Sequence, residues 1–170
     1  IWGAWLPLLY PFLMGHRGFS ADQCGIILAV GAIGAIIGPF LAGQLADRHF
    51  STERVLAVSH LAGAILVWFL ATTDAFGVFV GMSLVYGLIY APTLSLTNSL
   101  AFHHLPDRDR DFGSVRLWGT VGWIFAGIAM AQWLLLQHTP EGAEAVVKAA
   151  QNAGMTDAFR LAAVLGFAMA

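Results

Sequence analysis

The chain has 170 residues, 58% of them hydrophobic and 11% charged, with a formal net charge of −2 and a single cysteine, Cys24. A soluble domain carries about a quarter charged residues, so this composition excludes an ordinary water-soluble domain. No basic stripe is present to displace counterions from phosphates, which removes nucleic acid as a partner. One cysteine excludes an internal disulfide framework and any cysteine-pair metal site.

The first apolar run, Ile1 to Met14, lacks a basic n-region and a small-residue cleavage site, so it reads as part of a spanning helix rather than a signal peptide. Its 14 residues rise about 21 Å, short of a hydrocarbon core of about 30 Å, and its missing turns are expected upstream. Together with this run, the hydropathy pattern predicts helices over 1–14, 22–46, 54–73, 76–102, 115–136 and 159–170, with a polar extracytoplasmic loop over 137–158. The four complete runs, Cys24 to Ala46, Val55 to Thr73, Phe76 to Phe102 and Val115 to Leu136, are long enough to span and hold no Asp, Glu or Lys. Lipid offers the backbone no hydrogen-bond partner, and the runs lack the alternation of barrel strands. The expected fold class is therefore all-α, a polytopic membrane bundle of six helices whose first and sixth are truncated.

In the second helix Gly34 and Gly38 form a small-xxx-small pair that lets another backbone approach closely, by ordinary packing within the bundle or at a dimer face. Pro39, and Pro92 in the fourth helix, should bend their helices. His60 in the third can titrate, as a proton relay, or sit buried, neutral and hydrogen-bonded. The fourth helix places Tyr86, Tyr90, Thr93 and Thr97 at offsets of four, three and four, so their polar atoms are expected on one face, with Asn98 beside it. Such groups belong against other helices or a watery cavity, and Tyr90 and Thr93 are candidate substrate-binding residues.

The connections over 47–54 and 103–116 hold Arg48, Arg54, Arg108, Arg110 and Arg116, against Arg17, Lys148 and Arg160 on the other side, so the positive-inside rule places the two Arg-rich connections in the cytoplasm. His103, His104, Asp107, Asp109 and Asp111 resemble a metal cluster in composition. The aspartates alternate with Arg108 and Arg110, however, which would repel a cation, and a solvated, ion-paired loop is expected. In the fifth helix Arg116, Thr120, Trp123 and Gly127 repeat the four-three-four spacing. Arg116 is then either a snorkelling anchor at the membrane edge or the cationic start of a cavity wall on which a guanidinium, a hydroxyl and an aromatic plane meet one ligand. The segment from Gln137 to Asp157 is polar, with Gly154 marking the end of a short surface helix. No nucleophile elbow, HExxH or Walker lysine occurs, so neither an enzyme, a metal nor a cofactor is expected.

The stretch Gly43-Gln44-Leu45-Ala46-Asp47-Arg48 resembles the G-x-x-x-D-R/K signature that major facilitator transporters carry between the second and third helices, although Phe50 to Glu53 replace its later glycine and basic pair. A closer likeness covers Trp2-Gly3-Ala4-Trp5-Leu6, Pro92-Thr93-Leu94 with Leu96 and Asn98, and Val115-Arg116-Leu117-Trp118-Gly119-Thr120-Val121-Gly122-Trp123. In this order they resemble the nucleoside:proton symporter family, and His60 falls where that family tends to have histidine. The resemblance implies the N-terminal six-helix half of a twelve-helix fold in a bacterial plasma (inner) membrane, working by alternating access with a C-terminal half. It implies nucleoside-like substrates and protons as partners, with a sugar or oligosaccharide as the alternative solute. It also places Arg116, Thr120 and Trp123 in the substrate cavity and gives Gly43, Asp47 and Arg48 a gating role at the contact between halves. None of the ten Asp and Glu residues lies inside an apolar run, so the proton-coupling acid is expected in that other half. The competing class is a membrane enzyme that uses the His and Asp connection on a lipid-derived substrate.

Overall fold

The computed structural model describes residues 1–48 and 50–170, apart from the side chains of residues 41, 42 and 45–48. Among the described residues every regular element is helical. The chain begins with an irregular helix made of α1 (Trp2–Trp5), a 3-10 turn at Leu6–Leu8, α2 (Leu9–Pro11) and a π turn at Phe12–His16. Pro7 and Pro11 cannot donate the bonds a regular helix needs at their positions, and the chain winds tighter, then wider, around them. Long helices follow: α3 (Ala21–Arg48), α4 (Thr52–Leu70), α5 (Phe76–Tyr90) continued by α6 (Pro92–His104), and α7 (Arg108–Gln137). A short α8 (Glu144–Gly154) and α9 (Thr156–Met169) complete the chain. Among the described residues four segments are long and apolar enough to cross a bilayer: Ala21–Phe40, Thr52–Leu70, Phe76–His104 and Arg108–Gln137.

Local chemistry explains where these helices start and stop. Ser20 and Gln23 form a reciprocal capping box at the head of α3, Ser20 N donating to Gln23 Oε1 at 2.9 Å and Gln23 N to Ser20 Oγ at 3.2 Å. Thr72 and Thr73 both donate their hydroxyls to the Phe69 carbonyl, beyond which α4 does not continue. Asp107 caps α7 by accepting from Arg110 N at 3.2 Å, so this helix begins at Arg108, seven residues before the first apolar position of its run. The expected ion-paired loop over 107–111 is instead a helix cap and first turn. Hydropathy marks where a helix enters lipid, and capping marks where it begins. The polar connection after α7 is likewise not all loop: it contains α8, which ends at Gly154 as the sequence suggests, and there a Cβ would overlap the His138 ring.

Glycines set how closely the helices approach. A Cβ on Gly34 of α3 would lie 2.7 Å from Gly87 Cα in α5, and one on Gly38 would lie 2.7 Å from the Leu88 carbonyl oxygen. That carbonyl is the one Pro92 cannot bond to, because proline has no N–H, so Gly38 gives room to the opened part of the α5–α6 helix. The small-xxx-small pair thus packs within the chain. Lipid tails are as apolar as the helix surfaces, so contacts of this kind, rather than hydrophobic exclusion from water, hold the helices together. The largest fully buried rings, Phe12, Phe79 and Phe159, anchor a core in which Phe159 packs at a tilt against Phe12 and Trp5, with centroids 4.3 and 5.0 Å away.

Polar contacts tie the connections together at each end of the bundle. At one end Arg17 pairs with Asp74, donates to the Ala71 carbonyl and lies 5.0 Å from the Phe12 ring centroid. At the same end Asn152 donates to the Gly15 carbonyl at 3.1 Å, and Thr156 meets His16 at 3.4 Å. Asp157 accepts from Trp133 Nε1 at 3.0 Å, His138 Nε2 at 3.0 Å and Arg160 at 3.1 Å, joining the end of α7 to the start of α9. Burial opposes ionisation of this carboxyl, but its three donors outweigh that effect and hold its pKa below the ordinary value of 3.8. At the opposite end Glu53 lies within electrostatic reach of His103 and His104.

Two outcomes test this packing. Gly34→Ala should lower the thermal stability of the detergent-purified protein by about 1–3 kcal/mol. Gly31→Ala, where nothing lies within 4 Å of the new Cβ, should not lower it, since alanine is the better helix former by up to about 1 kcal/mol. Asp157→Asn should lower the melting temperature near neutral pH. Because the folded pKa is depressed, the stability that the carboxylate contributes is present above its unfolded pKa and is lost as pH falls through the folded one. A pH series of melting curves should therefore show the gap between the two proteins closing only on the acid side of pH 3.8.

Candidate substrate cavity

The wall that α5, α6 and α7 form with the first helix contains two adjoining cavities. The larger, about 640 Å³, is lined by Ile1, Trp2, Tyr90, Thr93, Leu94, Thr97, Trp118, Gly119, Gly122, Trp123, Phe125, Ala126 and Ala129, and by Leu161 and Leu165 of α9. The second, about 370 Å³, is lined by Leu94, Thr97, Asn98, Ala101 and Phe112, with Val115, Arg116, Gly119, Thr120 and Trp123. Leu94, Thr97, Gly119 and Trp123 border both. The five candidate binding residues are therefore brought together, but over two compartments: Tyr90 and Thr93 in the first, Arg116 and Thr120 in the second, and Trp123 between them.

The α7 spacing explains the second compartment. Arg116, Thr120 and Trp123 fall on successive turns of one face, with a rise of about 10 Å from first to last. Arg116 Nη1 crosses to α6 and donates to Asn98 Oδ1 at 3.1 Å. The threonine hydroxyls donate backward into their own helices: Thr93 to the Tyr90 carbonyl at 2.7 Å, Thr97 to the Thr93 carbonyl at 2.6 Å, and Thr120 to the Arg116 carbonyl at 3.3 Å. Each hydroxyl has one proton, so their remaining capacity is as acceptors. Charged donor capacity in this compartment comes from the guanidinium.

The two alternatives for the polar face of the fourth helix are both realised: Tyr90, Thr93 and Thr97 border the cavity, whereas Tyr86 is set against the first helix. It borders a separate apolar cavity of about 260 Å³ between the first helix, α3 and α5. Its hydroxyl accepts from Trp2 Nε1 at 2.8 Å, and its ring stacks on Tyr90 at 4.9 Å. The indoles of Trp2 and Trp5 cover that turn of α5, which helical spacing on a single helix cannot reveal. His60 lies one layer behind the cavity: it is buried, edge-on to the Tyr90 ring at 5.4 Å, with Nδ1 2.8 Å from the Leu56 carbonyl. A carbonyl only accepts, so Nδ1 carries a proton and Nε2 is the uncommitted nitrogen.

Two contributors were not assigned to the site from sequence. Trp2 borders the larger cavity and lies 5.7 Å from Tyr90, and its signal was its place in the Trp2-Gly3-Ala4-Trp5-Leu6 stretch that carries the family likeness. Asn98 joins Arg116, and its signal was a polar side chain just off the α6 face. Of the candidate gating residues, Gly43 lies in the last part of α3 with open space beside its Cα, while the side chains of Asp47 and Arg48 fall outside the described residues.

A bundle of membrane-spanning helices whose polar side chains converge on clefts along one face is an architecture that solute transporters use. The family described as "Nucleoside H+ symporter" matches residues 1–161, and the chain belongs to that family. The chain is 47% identical over 129 residues to the putative nucleoside transporter YegT of Escherichia coli (strain K12), covering 76% of this chain and 30% of YegT. It is 30% identical over 139 residues to the nucleoside permease NupG of the same organism, covering 79% of this chain and 32% of NupG. A crystal structure of the nucleoside transporter NupG superposes with a TM-score of 0.74 at 25% identity, covering 99% of this chain and 40% of that one. The chain thus spans about a third of the length of these relatives. The fold is an all-helical membrane bundle of the major facilitator type, and its relatives are transporters and permeases, not enzymes.

The first helix reaches the site at Gly3, where a Cβ would lie 2.5 Å from the Trp123 carbonyl oxygen and 2.9 Å from its Cα. Gly3→Ala should accordingly destabilise the protein by about 1–3 kcal/mol in thermal melts, because backbone of α7 must move. Gly113→Ala on the same helix meets nothing within 4 Å and should leave the protein at least as stable.

Proposed function

We propose that the whole protein carries out proton-coupled uptake of nucleosides across a bacterial inner membrane, by alternating access between this bundle and a second half. The supporting observation is the convergence of the Arg116 guanidinium and the Trp123 indole on one wall, two helical turns apart, with threonine acceptors between and opposite them. A nucleoside has one planar face and a hydroxylated ring, so an aromatic plane can stack on the base while charged and neutral hydrogen-bonding groups take the sugar hydroxyls or base edge. Tyr90 and Thr93 extend the site toward the larger compartment. The Arg-bearing connections over 47–54 and 103–116 face the cytoplasm on this reading, and Gly43, Asp47 and Arg48 contribute to the contact between halves. No acidic residue of the chain lies within the apolar core of a span, so the group that couples substrate to protons belongs to the second half.

A sugar is the second reading, supported by the 26% identity over 132 residues to a maltose permease of Geobacillus stearothermophilus. The largely apolar lining of the larger cavity favours the flat base of a nucleoside over an oligosaccharide, which presents hydroxyls in every direction.

Radiolabelled uridine uptake in cells expressing the full-length transporter tests the proposal. Arg116→Ala should reduce uptake about tenfold or more, the scale of losing a charge-assisted hydrogen bond. Trp123→Ala should reduce it about tenfold through lost stacking and apolar contact. A protonophore should abolish accumulation above the external concentration. Unchanged uptake in both variants at normal expression would dismiss the site, and accumulation that ignored the protonophore would dismiss proton coupling.

A further inference from the structure

We propose that Asn98 is a positioning residue for Arg116, holding the guanidinium at the cavity wall while leaving its charge unneutralised. This rests on the reading of Arg116 as a substrate-binding group. Arg116 is exposed to the cavity, and its long side chain has rotamer freedom worth about 2 kcal/mol to lose on binding. A contact that orients it beforehand removes part of that loss. Asn98 Oδ1, on the neighbouring helix α6, accepts from Nη1 at 3.1 Å, and among the described residues no carboxylate pairs with Arg116.

The identity of the acceptor matters. A guanidinium has only donors, so the amide oxygen must be the atom that faces it, and four of its five N–H donors remain for a ligand. A carboxylate in place of Asn98 would also orient Arg116, but it would form an ion pair that competes with a neutral, hydroxyl-bearing substrate for the same donors. A neutral amide fixes direction without that competition. The contact also spans the groove between α6 and α7, so the separation of these helices sets where the guanidinium sits. Phe102 of α6 and Phe112 of α7, stacked at 4.2 Å further along the same groove, hold that separation.

The test is a double-mutant cycle in the full-length protein in detergent, with uridine affinity measured by calorimetry and uptake KM and Vmax measured in cells. Asn98→Leu keeps the size and should raise Kd and KM about three- to tenfold with Vmax near wild type. In an Arg116→Ala background the same change should have no further effect. Asn98→Asp should also weaken uridine binding, and wild-type affinity there would overturn the neutrality argument. Wild-type affinity for Asn98→Leu, or full additivity with Arg116→Ala, would overturn the positioning role. If Arg116→Ala itself left Kd unchanged, the substrate reading of Arg116 would fail, an outcome distinct from failure of Asn98 alone.

Discussion

Close approach of helix backbones is the constraint from which the rest of this bundle follows. In lipid, helices gain little from hiding apolar surface, and their association depends on contacts short enough for dispersion and backbone polar interactions to count. Gly34 and Gly38 supply such contacts between α3 and the α5–α6 helix, and Gly63 admits the Tyr90 ring onto α4. Gly3 does the same between the first helix and α7 at Trp123. The cavities are what remains where these close seams give way to larger side chains. Trp123 belongs to both, since its backbone lies in a tight seam while its indole divides the two compartments.

This arrangement separates two kinds of polar group. Trp2, Tyr86, Tyr90 and His60 pack as one aromatic cluster in which the Trp2 indole donates to the Tyr86 hydroxyl; Trp2 and Tyr90 present one side to the larger cavity, while Tyr86 and His60 lie behind them. The cavity polar groups are less committed: the threonines retain acceptor capacity, and Arg116 retains most of its donors beyond the bond to Asn98. Polar groups within a membrane span that are not fully matched among themselves are costly unless water or a solute meets them, which is the physical ground for taking this wall as a candidate site.

Departures from the sequence reading share a cause. Hydropathy locates lipid, and the start of α7 lies outside lipid, so Asp107 and its bond to Arg110 N were invisible to it. Helix α8 is not such a departure, since Gly154 marks its end in the sequence, but a polar surface helix has no apolar run to announce its start. Its position depends on long-range contacts such as Asn152 to the Gly15 carbonyl. Tyr86 has the spacing of a cavity residue, yet two indoles from a distant helix cover it. Periodicity defines faces of one helix and says nothing about which neighbour lies on each face.

By itself the sequence determined that the chain enters the membrane as helices, since runs of about twenty uncharged residues admit no other backbone solution in lipid. It also determined which residues of α7 share a face, because that follows from 3.6 residues per turn alone. Only the tertiary structure decided that Tyr90 and Thr93 border one compartment while Arg116 and Thr120 border another, and that Asn98 carries the guanidinium. Those facts depend on where separate helices cross. The crossings are set by glycine contacts between segments as far apart in the chain as Gly3 and Trp123.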